Sequence, residues 1–241
     1  MFKILHKYAN PYKFLEIARP AQRIFGFLSI FFLFIGLYFA LFLSPPDYQQ
    51  SETVRIMYIH VPSAWISLFA YSLIFFMSAF YLIWRFPLFL IVAKEVTTIG
   101  LIFTFISLMS GSLWGRPTWG TYWVWDARLT SFLILLFIYL GLALIKKTFS
   151  NTGKADNSFA YLALMGGLNL PIIKFSVDWW NTLHQPASVF RVSGPSISLD
   201  ILIPLLIMSV GFLFLFAFLL LLNIHSNIQE KKLMIESRKH N

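Results

Sequence analysis

The sequence contains no cysteine among its 241 residues. This absence excludes disulfide bonds, thiolate metal ligands and a C-x-x-C-H motif for covalent haem attachment within the chain. Charged residues are also scarce, at 12% against about 25% in soluble domains. In contrast, 58% of the residues are hydrophobic and 27 are phenylalanine. Such a composition excludes an ordinary soluble core and predicts that lipid is the main solvent of the chain.

Six apolar stretches are long enough to cross a hydrocarbon core of about 30 Å, which needs roughly 17–25 helical residues. Backbone groups inside lipid find no water, so each stretch is predicted to be a helix. The stretches are Ile24–Ser44, Ser63–Trp84, Val96–Leu113, Leu129–Ile145, Phe159–Asp178 and Leu199–Asn223. The fifth includes Gly167, Pro171 and Lys174, so we expect it to be kinked and to face the protein interior in part.

The distribution of lysine and arginine predicts the orientation of these helices. Fourteen of the 19 cations lie in segments 1–23, 85–95, 146–158 and 224–241, while the acidic residues divide evenly between the two sides. Because cytoplasmic loops carry the excess of cations, both termini are predicted to be cytoplasmic. The first apolar run is too long for a signal peptide and no A-x-A-like site follows it, so it is expected to be a retained anchor.

These predictions define the organisation of the chain. The expected parts are a cytoplasmic segment 1–23, a six-helix membrane domain 24–223 with outer loops 45–62, 114–128 and 179–198, and a cytoplasmic tail 224–241. The outer loops are longer and chemically richer than the inner ones, so we expect function on the outer face. The net charge of +9 then marks topology and affinity for anionic lipid rather than for nucleic acid.

The middle outer loop is rich in tryptophan, with four of the eight in the chain at positions 114–125. Gly115, Pro117 and Gly120 are expected to prevent a continuous helix through its first half, which favours a hairpin or short surface helices. One interpretation is an interfacial aromatic belt. A belt should occur on both sides, yet the inner boundary has essentially Trp84 alone. The alternative is a platform for a flat ligand, where each stacked pair contributes roughly 0.5–1.5 kcal/mol beyond burial.

Two histidines are predicted to lie on the same side as this loop, each just outside a span. They occur in similar contexts, His60-Val-Pro62 and His184-Gln-Pro186. Proline suits the first turn of a helix, which would fix His60 at the mouth of the second span. Two imidazoles from different loops are able to fill both axial positions of a haem iron, and the alternative is a structural or solvated histidine. The other histidines, His6, His225 and His240, are expected to be solvated tail residues.

A haem also needs partners for its two propionates, which arginine binds with bidentate geometry. Arg128 and Arg55 are the best-placed candidates, although a solvated loop charge remains the alternative for Arg55. Weaker candidates are Arg116, Arg191 and Lys174. Asp126 lies two residues before Arg128 and is expected to orient either that arginine or a backbone turn.

The segment WGRPTWGTYWVWDARLTS, residues 114–131, resembles the WWD signature of haem-handling proteins, in which a tryptophan-rich outer loop ends in Trp-Asp-x-Arg-Leu-Thr. A larger haem lyase subunit and a synthase of another maturation system share this signature but are expected to have more spans. Six spans, cytoplasmic termini, and histidines in the first and third outer loops resemble the haem exporter protein C family (CcmC). The resemblance extends from the first span to the sixth.

The resemblance implies an all-α integral membrane protein of the bacterial inner membrane, with six transmembrane helices and no catalytic residues. It implies transient binding of haem b at the periplasmic face and delivery for c-type cytochrome maturation, with His60 and His184 as axial ligands of the iron. The implied haem-binding set is His60, His184, Trp114, Trp119, Trp123, Trp125, Asp126, Arg128 and Arg55. The implied partners are a periplasmic haem chaperone (CcmE-like), ABC transporter subunits (CcmA- and CcmB-like), a small single-span subunit (CcmD-like) and membrane lipid.

Two other functions remain open at this point. A membrane redox subunit like a b-type cytochrome would keep its haem permanently, but such proteins usually place paired histidines within spans. A small-solute transporter is disfavoured by the few charged residues within spans and by the lack of an evident inverted repeat. The sequence has no Walker A pattern, so any use of ATP would belong to a partner.

Overall fold

The computed structural model describes residues 10–148, 153–186 and 188–240, and this part of the chain is helical and contains no β-strand. The predicted tail residue His6 lies outside the described residues. The α-helices are α1 (Pro11–Tyr38), α2 (Met57–Trp84), α3 (Pro87–Trp119), α4 (Ala127–Thr148), α5 (Gly153–Gly167), α6 (Asn169–Trp179) and α7 (Leu199–His240). A π-turn, Phe39–Leu43, continues α1, and a 3₁₀-helix, Glu52–Ile56, leads into α2.

Six stretches of these helices are long and apolar enough to cross a membrane. They are Lys13–Leu43, Glu52–Trp84, Pro87–Trp119, Ala127–Thr148, Gly153–Trp179 and Leu199–Met234. Each predicted span overlaps one of them, so the six-span all-α fold class is confirmed. Large apolar side chains such as Phe27, Phe34 and Phe42 of the first span are exposed on the bundle, as expected where lipid is the solvent.

The core of the bundle lies around α2, which packs along α3 and also contacts α5 and α7. Tyr71 of α2 is fully buried, and its hydroxyl donates to the Ala163 carbonyl of α5 at 3.2 Å. Tyr139 of α4 is likewise buried and donates to the Ser67 carbonyl of α2 at 2.8 Å. Because a buried hydroxyl is costly without a partner, these two bonds fix α4 and α5 against α2.

The fifth span is broken, as its glycine and proline content predicts. The chain leaves α5 after Gly167, turns at Leu168, and starts α6 at Asn169. The buried Asn169 side chain donates from Nδ2 to the Ser131 carbonyl of α4 at 2.9 Å. Pro171 falls in the first turn of α6, where its missing N–H costs no helical bond.

Successive crossings place the ends of α1, α3 and α6 and the starts of α2, α4 and α7 at one end of the bundle, here called the His60 end. The opposite end carries the start of α1 and the end of α7, and the described residues there form two ion pairs between helices. Lys94 Nζ lies 2.5 Å from Asp156 Oδ1, and Lys146 Nζ lies 2.9 Å from Glu95 Oε2. Glu95 is buried, and its other oxygen accepts from Asn227 Nδ2 of α7 at 3.0 Å.

The helices α1 and α7 continue past the predicted spans at this opposite end. Leu15 and Ala18 of α1 are buried with Ile224 and Ile228 of α7 and Ile91 of α3 in a small separate cluster. The prediction of a solvated tail histidine at His225 is therefore wrong, because this residue lies within packed α7 and its Nε2 atom is buried. Apolar residues after Asn223 extend the contact between α1 and α7. The sequence did not indicate this contact, because the continuous apolar run ends at Asn223.

Candidate functional site

His60 lies in the first turn of α2, three residues after the helix begins. His60 therefore lies inside the helix rather than in a loop before it, because the preceding 3₁₀-helix feeds directly into α2 and Pro62 is accommodated inside the helix. Its Nδ1 atom lies 2.9 Å from the Ser107 carbonyl oxygen and 3.2 Å from Ser110 Oγ, both on α3. A carbonyl oxygen only accepts, so Nδ1 carries the proton and Nε2 keeps a free lone pair.

His184 lies half-buried in the segment between α6 and α7. Like His60, it has a backbone carbonyl oxygen next to its Nδ1 atom. Its Nδ1 atom lies 3.2 Å from the Gln185 carbonyl oxygen, to which it donates. Burial lowers the pKa of His184 and the nearby positive charge of Arg128 lowers it further, while the Gln185 bond and Asp126 act in the opposite direction. The imidazole is therefore neutral at pH 7, with Nε2 available as a ligand atom.

Each of the two histidines has a tryptophan of α3 against its ring. The His60 ring meets Trp114 edge-on with centroids 5.6 Å apart, and His184 meets Trp119 with centroids 6.1 Å apart. Both tryptophans lie in the last turns of α3. The structure thus brings together the two predicted ligand residues and two of the four predicted aromatic contacts.

The helix α3 continues through Gly115 and Pro117 to Trp119, so the prediction that these residues interrupt it is wrong. A proline in the last turn forfeits one backbone bond only, and Thr118 adds local bonds by donating from Oγ1 to the Trp114 carbonyl at 2.8 Å. Gly120 does end the helix, as predicted, because its backbone has a φ of 79° that favours glycine. At 1.5 Å per residue, the 33 residues of α3 extend about 50 Å, so its tip projects beyond a hydrocarbon core of about 30 Å.

Trp123 and Trp125 follow in the segment between α3 and α4, with ring centroids 5.5 Å apart. Trp125 is 75% exposed. Trp123 is half-buried, and its Nε1–H is buried with no acceptor among the described residues. The pair adds exposed aromatic surface at the same end of the bundle. The other tryptophans of this end contact different partners, since Trp65 meets Phe190 at 5.1 Å and Trp179 meets Trp180 at 5.7 Å.

Arg128, in the first turn of α4, is half-buried and faces α6. Its Nε–H donates to Ser176 Oγ at 3.0 Å, and its terminal nitrogen donates to the Lys174 carbonyl at 3.4 Å. These bonds hold the guanidinium at the His60 end, where its positive charge lowers the pKa of His184. The Lys174 side chain itself forms no ion pair with Asp178 among the described residues, although the spacing allowed one.

Arg55 lies in the 3₁₀-helix and ties the end of α1 to the start of α2. Its Nε donates to Glu52 Oε2 at 2.6 Å, and one terminal nitrogen donates to the carbonyls of Ala40 and of Leu41, the latter at 2.9 Å. These carbonyls belong to the π-turn, whose terminal acceptors have no helical donors. Arg55 therefore has a structural role in this geometry, and contact with a haem propionate stays a prediction.

Asp126 caps α4. Its Oδ1 accepts the Leu129 N–H at 2.8 Å, and its backbone carbonyl accepts the Thr130 N–H at 3.0 Å. Of the two orientations predicted for this carboxylate, the structure has the backbone turn. Its Oδ2 is buried without a partner among the described residues.

Sequence reasoning did not identify several residues that shape the site. Ser107, Ser110 and Gly111 of α3 form the wall behind His60, and an added Cβ at Gly111 would lie 2.7 Å from the His60 Cε1 atom. Gln50 accepts the Trp114 indole N–H through Oε1 at 2.9 Å. Small and polar residues three and four apart on an otherwise apolar span were the available signal for the first three. Nothing in the sequence singled out Gln50.

A six-span membrane bundle with two neutral imidazoles and a tryptophan cluster at one end defines a membrane protein suited to a flat, metal-containing ligand. The sequence matches the family described as heme exporter protein C over residues 4–239. The chain belongs to the heme exporter protein C family. Membership in it gives the chain a role in haem handling for cytochrome c biogenesis, and the family is a biogenesis component rather than a known enzyme family.

Relatives described as heme exporter protein C support this assignment. The chain is 49% identical to that of Bradyrhizobium diazoefficiens over 224 residues, which cover 93% of this chain and 85% of the relative. It is 41% identical to that of Haemophilus influenzae, over 92% of this chain and 90% of the relative. The Escherichia coli K12 relative is 38% identical over 239 residues, which cover 99% of this chain and 95% of the relative.

Proposed function

We propose that this chain binds haem b transiently at the periplasmic face of the bacterial inner membrane and delivers it to a periplasmic haem chaperone. In this proposal His60 and His184 are the axial ligands of one iron. Trp114, Trp119 and the pair Trp123 and Trp125 contact the macrocycle. The delivery belongs to the maturation of c-type cytochromes, within a complex that includes ABC transporter subunits and a small single-span subunit.

The observation that carries the proposal is that both imidazoles use Nδ1 as a hydrogen-bond donor and leave Nε2 free. Each ring donates from Nδ1 to a backbone carbonyl, Ser107 for one and Gln185 for the other. Such a bond fixes the tautomer and orients the ring of a metal-ligating histidine. Both Nε2 atoms therefore retain the lone pair that iron coordination requires.

The exposure of the aromatic side chains suits a haem that is bound reversibly. Trp125 is largely exposed and Trp119 is half-buried, so the aromatic surface is open rather than sealed inside the bundle. Arg128 supplies a cation held at the same end by Ser176. Propionate binding by Arg128, and in second place by Arg55, is the corresponding proposal for the polar edge of the haem.

The proposed orientation rests on the cation asymmetry of the sequence. The start of α1 and the end of α7 lie at the end of the bundle that carries the lysine and arginine excess, and His60 lies at the other end. With that excess on the cytoplasmic side, the His60 end faces the periplasm.

The test is an absorption spectrum of the purified protein, recorded with and without the apo form of a periplasmic haem chaperone. We expect a haem band in substoichiometric amount that moves to the chaperone on mixing. Stoichiometric haem that stays with this chain and is reduced by quinol would instead identify a redox subunit. No haem band under any condition, including growth with added haem precursor, would overturn the proposal.

A further inference from the structure

A second site lies at the end of the bundle opposite His60, between α1 and α7. A cavity of about 410 Å³ opens there. It is lined by Arg19, Gln22, Arg23, His225 and Gln229. None of these residues belongs to the proposed haem site, and none of the described residues that line the cavity is acidic.

The two arginines are four residues apart on α1 and share one helix face. Both are exposed, and neither has an ion pair within the described parts of the chain. Like charges at this spacing destabilise a helix, so an anion bound between Arg19 and Arg23 would relieve their repulsion. Within the described parts of the chain no acidic side chain pairs with either arginine, so an anion between them would come from outside the chain.

His225 adds an independent indication from the facing helix. Its Nε2 atom is buried and has no hydrogen-bond partner among the described residues. A buried ring nitrogen without a partner is costly unless something outside the chain contacts it. Gln22 and Gln229 contribute amide groups beside it, so the lining is rich in hydrogen-bond donors.

The depth of the cavity identifies the source of the anion. The apolar run of α1 starts at Ile24, directly after Arg23, and that of α7 ends at Asn223, two residues before His225. The lining thus lies at the boundary of the hydrocarbon core, where lipid phosphates are found. The helices are held together here by the buried cluster around Leu15 and Ile228.

The adjoining cavity, of about 390 Å³, lies farther from the apolar runs and has mixed charge. It shares Arg19 but also includes Glu16, Lys232 and Glu236, and Lys232 Nζ lies 3.8 Å from Glu236 Oε1. Carboxylates there disfavour a phosphate. An anion is therefore expected only in the first cavity, at the boundary of the hydrocarbon core.

We propose that Arg19, Arg23 and His225 bind the phosphate of an anionic phospholipid from the leaflet at this end of the bundle. The two guanidinium groups neutralise the phosphate charge and donate hydrogen bonds to its oxygens. His225 lines the same cavity from α7, so a bound lipid bridges α1 and α7. The site is independent of haem binding, and only the name of the leaflet, cytoplasmic, rests on the proposed orientation.

The experiment is native mass spectrometry of the delipidated full chain in detergent, titrated with phosphatidylglycerol. We expect saturable binding of one lipid, weakened about fivefold for each cation removed and about 25-fold in the double variant Arg19→Gln/Arg23→Gln. The matched control is Lys147→Gln/Lys154→Gln, which removes two exposed cations at the same end. His225→Ala should weaken binding to an intermediate extent. Thermal melting and gel filtration verify that every variant is folded.

Any one of three outcomes would overturn the proposal. The first is that the double variant binds phosphatidylglycerol as tightly as the control does. The second is that phosphatidylcholine binds as tightly as phosphatidylglycerol, which would show that the site does not recognise the lipid charge. The third is that inorganic phosphate, added at the concentration of the lipid, displaces the lipid completely, which would identify a free-phosphate site instead.

Discussion

The Nδ1 atom of His60 in α2 lies 2.9 Å from the backbone carbonyl oxygen of Ser107 in α3. This bond joins the two central helices at the site and determines which ring nitrogen is free. It forms because α3 presents Gly111 to the imidazole, and an added Cβ there would lie 2.7 Å from Cε1. Gly111 therefore allows the ring to come close enough to α3 to donate from Nδ1. This bond leaves Nε2 free to bind iron, as the proposed haem ligand requires.

Gly111→Ala should displace the His60 ring from α3 and break its bond to Ser107. Loss of an orienting partner for a metal ligand costs roughly 10- to 100-fold in affinity, so haem retention should fall by that order while the protein remains in the membrane. Absorption spectra and haem content per protein measure the effect. The control is Gly141→Ala, where an added Cβ would meet Leu162 at an ordinary 3.4 Å. Equal haem content in the two variants would show that Gly111 does not position the ligand.

The tryptophans should act as a surface rather than through one atom. Trp119→Ala should weaken haem retention a few-fold, because an aromatic contact contributes roughly 0.5–1.5 kcal/mol beyond burial. Trp125→Ala should have a smaller effect, since that ring is largely exposed. Removing three of the four should nearly abolish haem delivery, as measured by transfer to the chaperone. Trp84→Ala, at the far end of α2, is the control. Normal delivery by the triple variant would favour the aromatic-belt interpretation.

Reporter fusions test the orientation of the chain. Fusions after Ile145 or at the C-terminus should report cytoplasm, and fusions within 114–128 or 179–198 should report periplasm, because of the cation asymmetry. The measurement is paired alkaline phosphatase and fluorescent-protein activity at each position. A periplasmic C-terminus would contradict the orientation and would place the lipid site in the outer leaflet.

The six spans and the shared end of His60 and His184 were predictable, because apolar runs, proline and cation counts are local properties of the sequence. The bonding of Arg55 was not, since its acceptors are carbonyls released by a π-turn 14 and 15 residues earlier. The helical path through Pro117 was missed for a related reason. A proline signals a helix break, but in a last turn the loss is one bond, and Thr118 adds others nearby.

The burial of His225 shows a further limit. The residues around it are polar enough to suggest a solvated tail, and only packing against α1 and Ile91 of α3 turns Ile224 and Ile228 into a buried face. Similarly, Ser107 is an unremarkable small residue until α2 brings an imidazole to its carbonyl. Contacts between elements distant in the sequence, rather than the elements themselves, are what sequence reasoning lacked here.

The ion pair between Lys146 and Glu95 should stabilise the end of the bundle opposite His60. Glu95 is buried, so Lys146→Met leaves its carboxylate without a cation at a cost of about 3 kcal/mol. We expect a lower midpoint of thermal unfolding in detergent, and partial recovery in Lys146→Met/Glu95→Gln. Lys147→Met removes an exposed neighbouring cation and should change the midpoint little. Equal midpoints for the two lysine variants would contradict a stabilising role for this pair.

The most direct test of the proposed ligands is to remove them one at a time. If His60 and His184 bind opposite faces of one iron, each alanine variant keeps one protein ligand and opens one axial position. The spectrum should change from a six-coordinate low-spin type to a weaker five-coordinate type, because the axial ligand controls haem electronics directly. Added imidazole should restore part of the original spectrum by occupying the open position.

The double variant His60→Ala/His184→Ala should lose haem almost completely, and the two losses should not be additive, because both residues share one iron. Absorption and resonance Raman spectra of protein purified in parallel, with amounts checked by immunoblot, provide the comparison. His240→Ala, at the last position of α7, is the control and should leave the spectrum unchanged. An unaltered low-spin spectrum in either single variant would rule out bis-histidine ligation, even if haem handling persisted. Loss of the low-spin form in both, with rescue by imidazole, would identify His60 and His184 as the ligands.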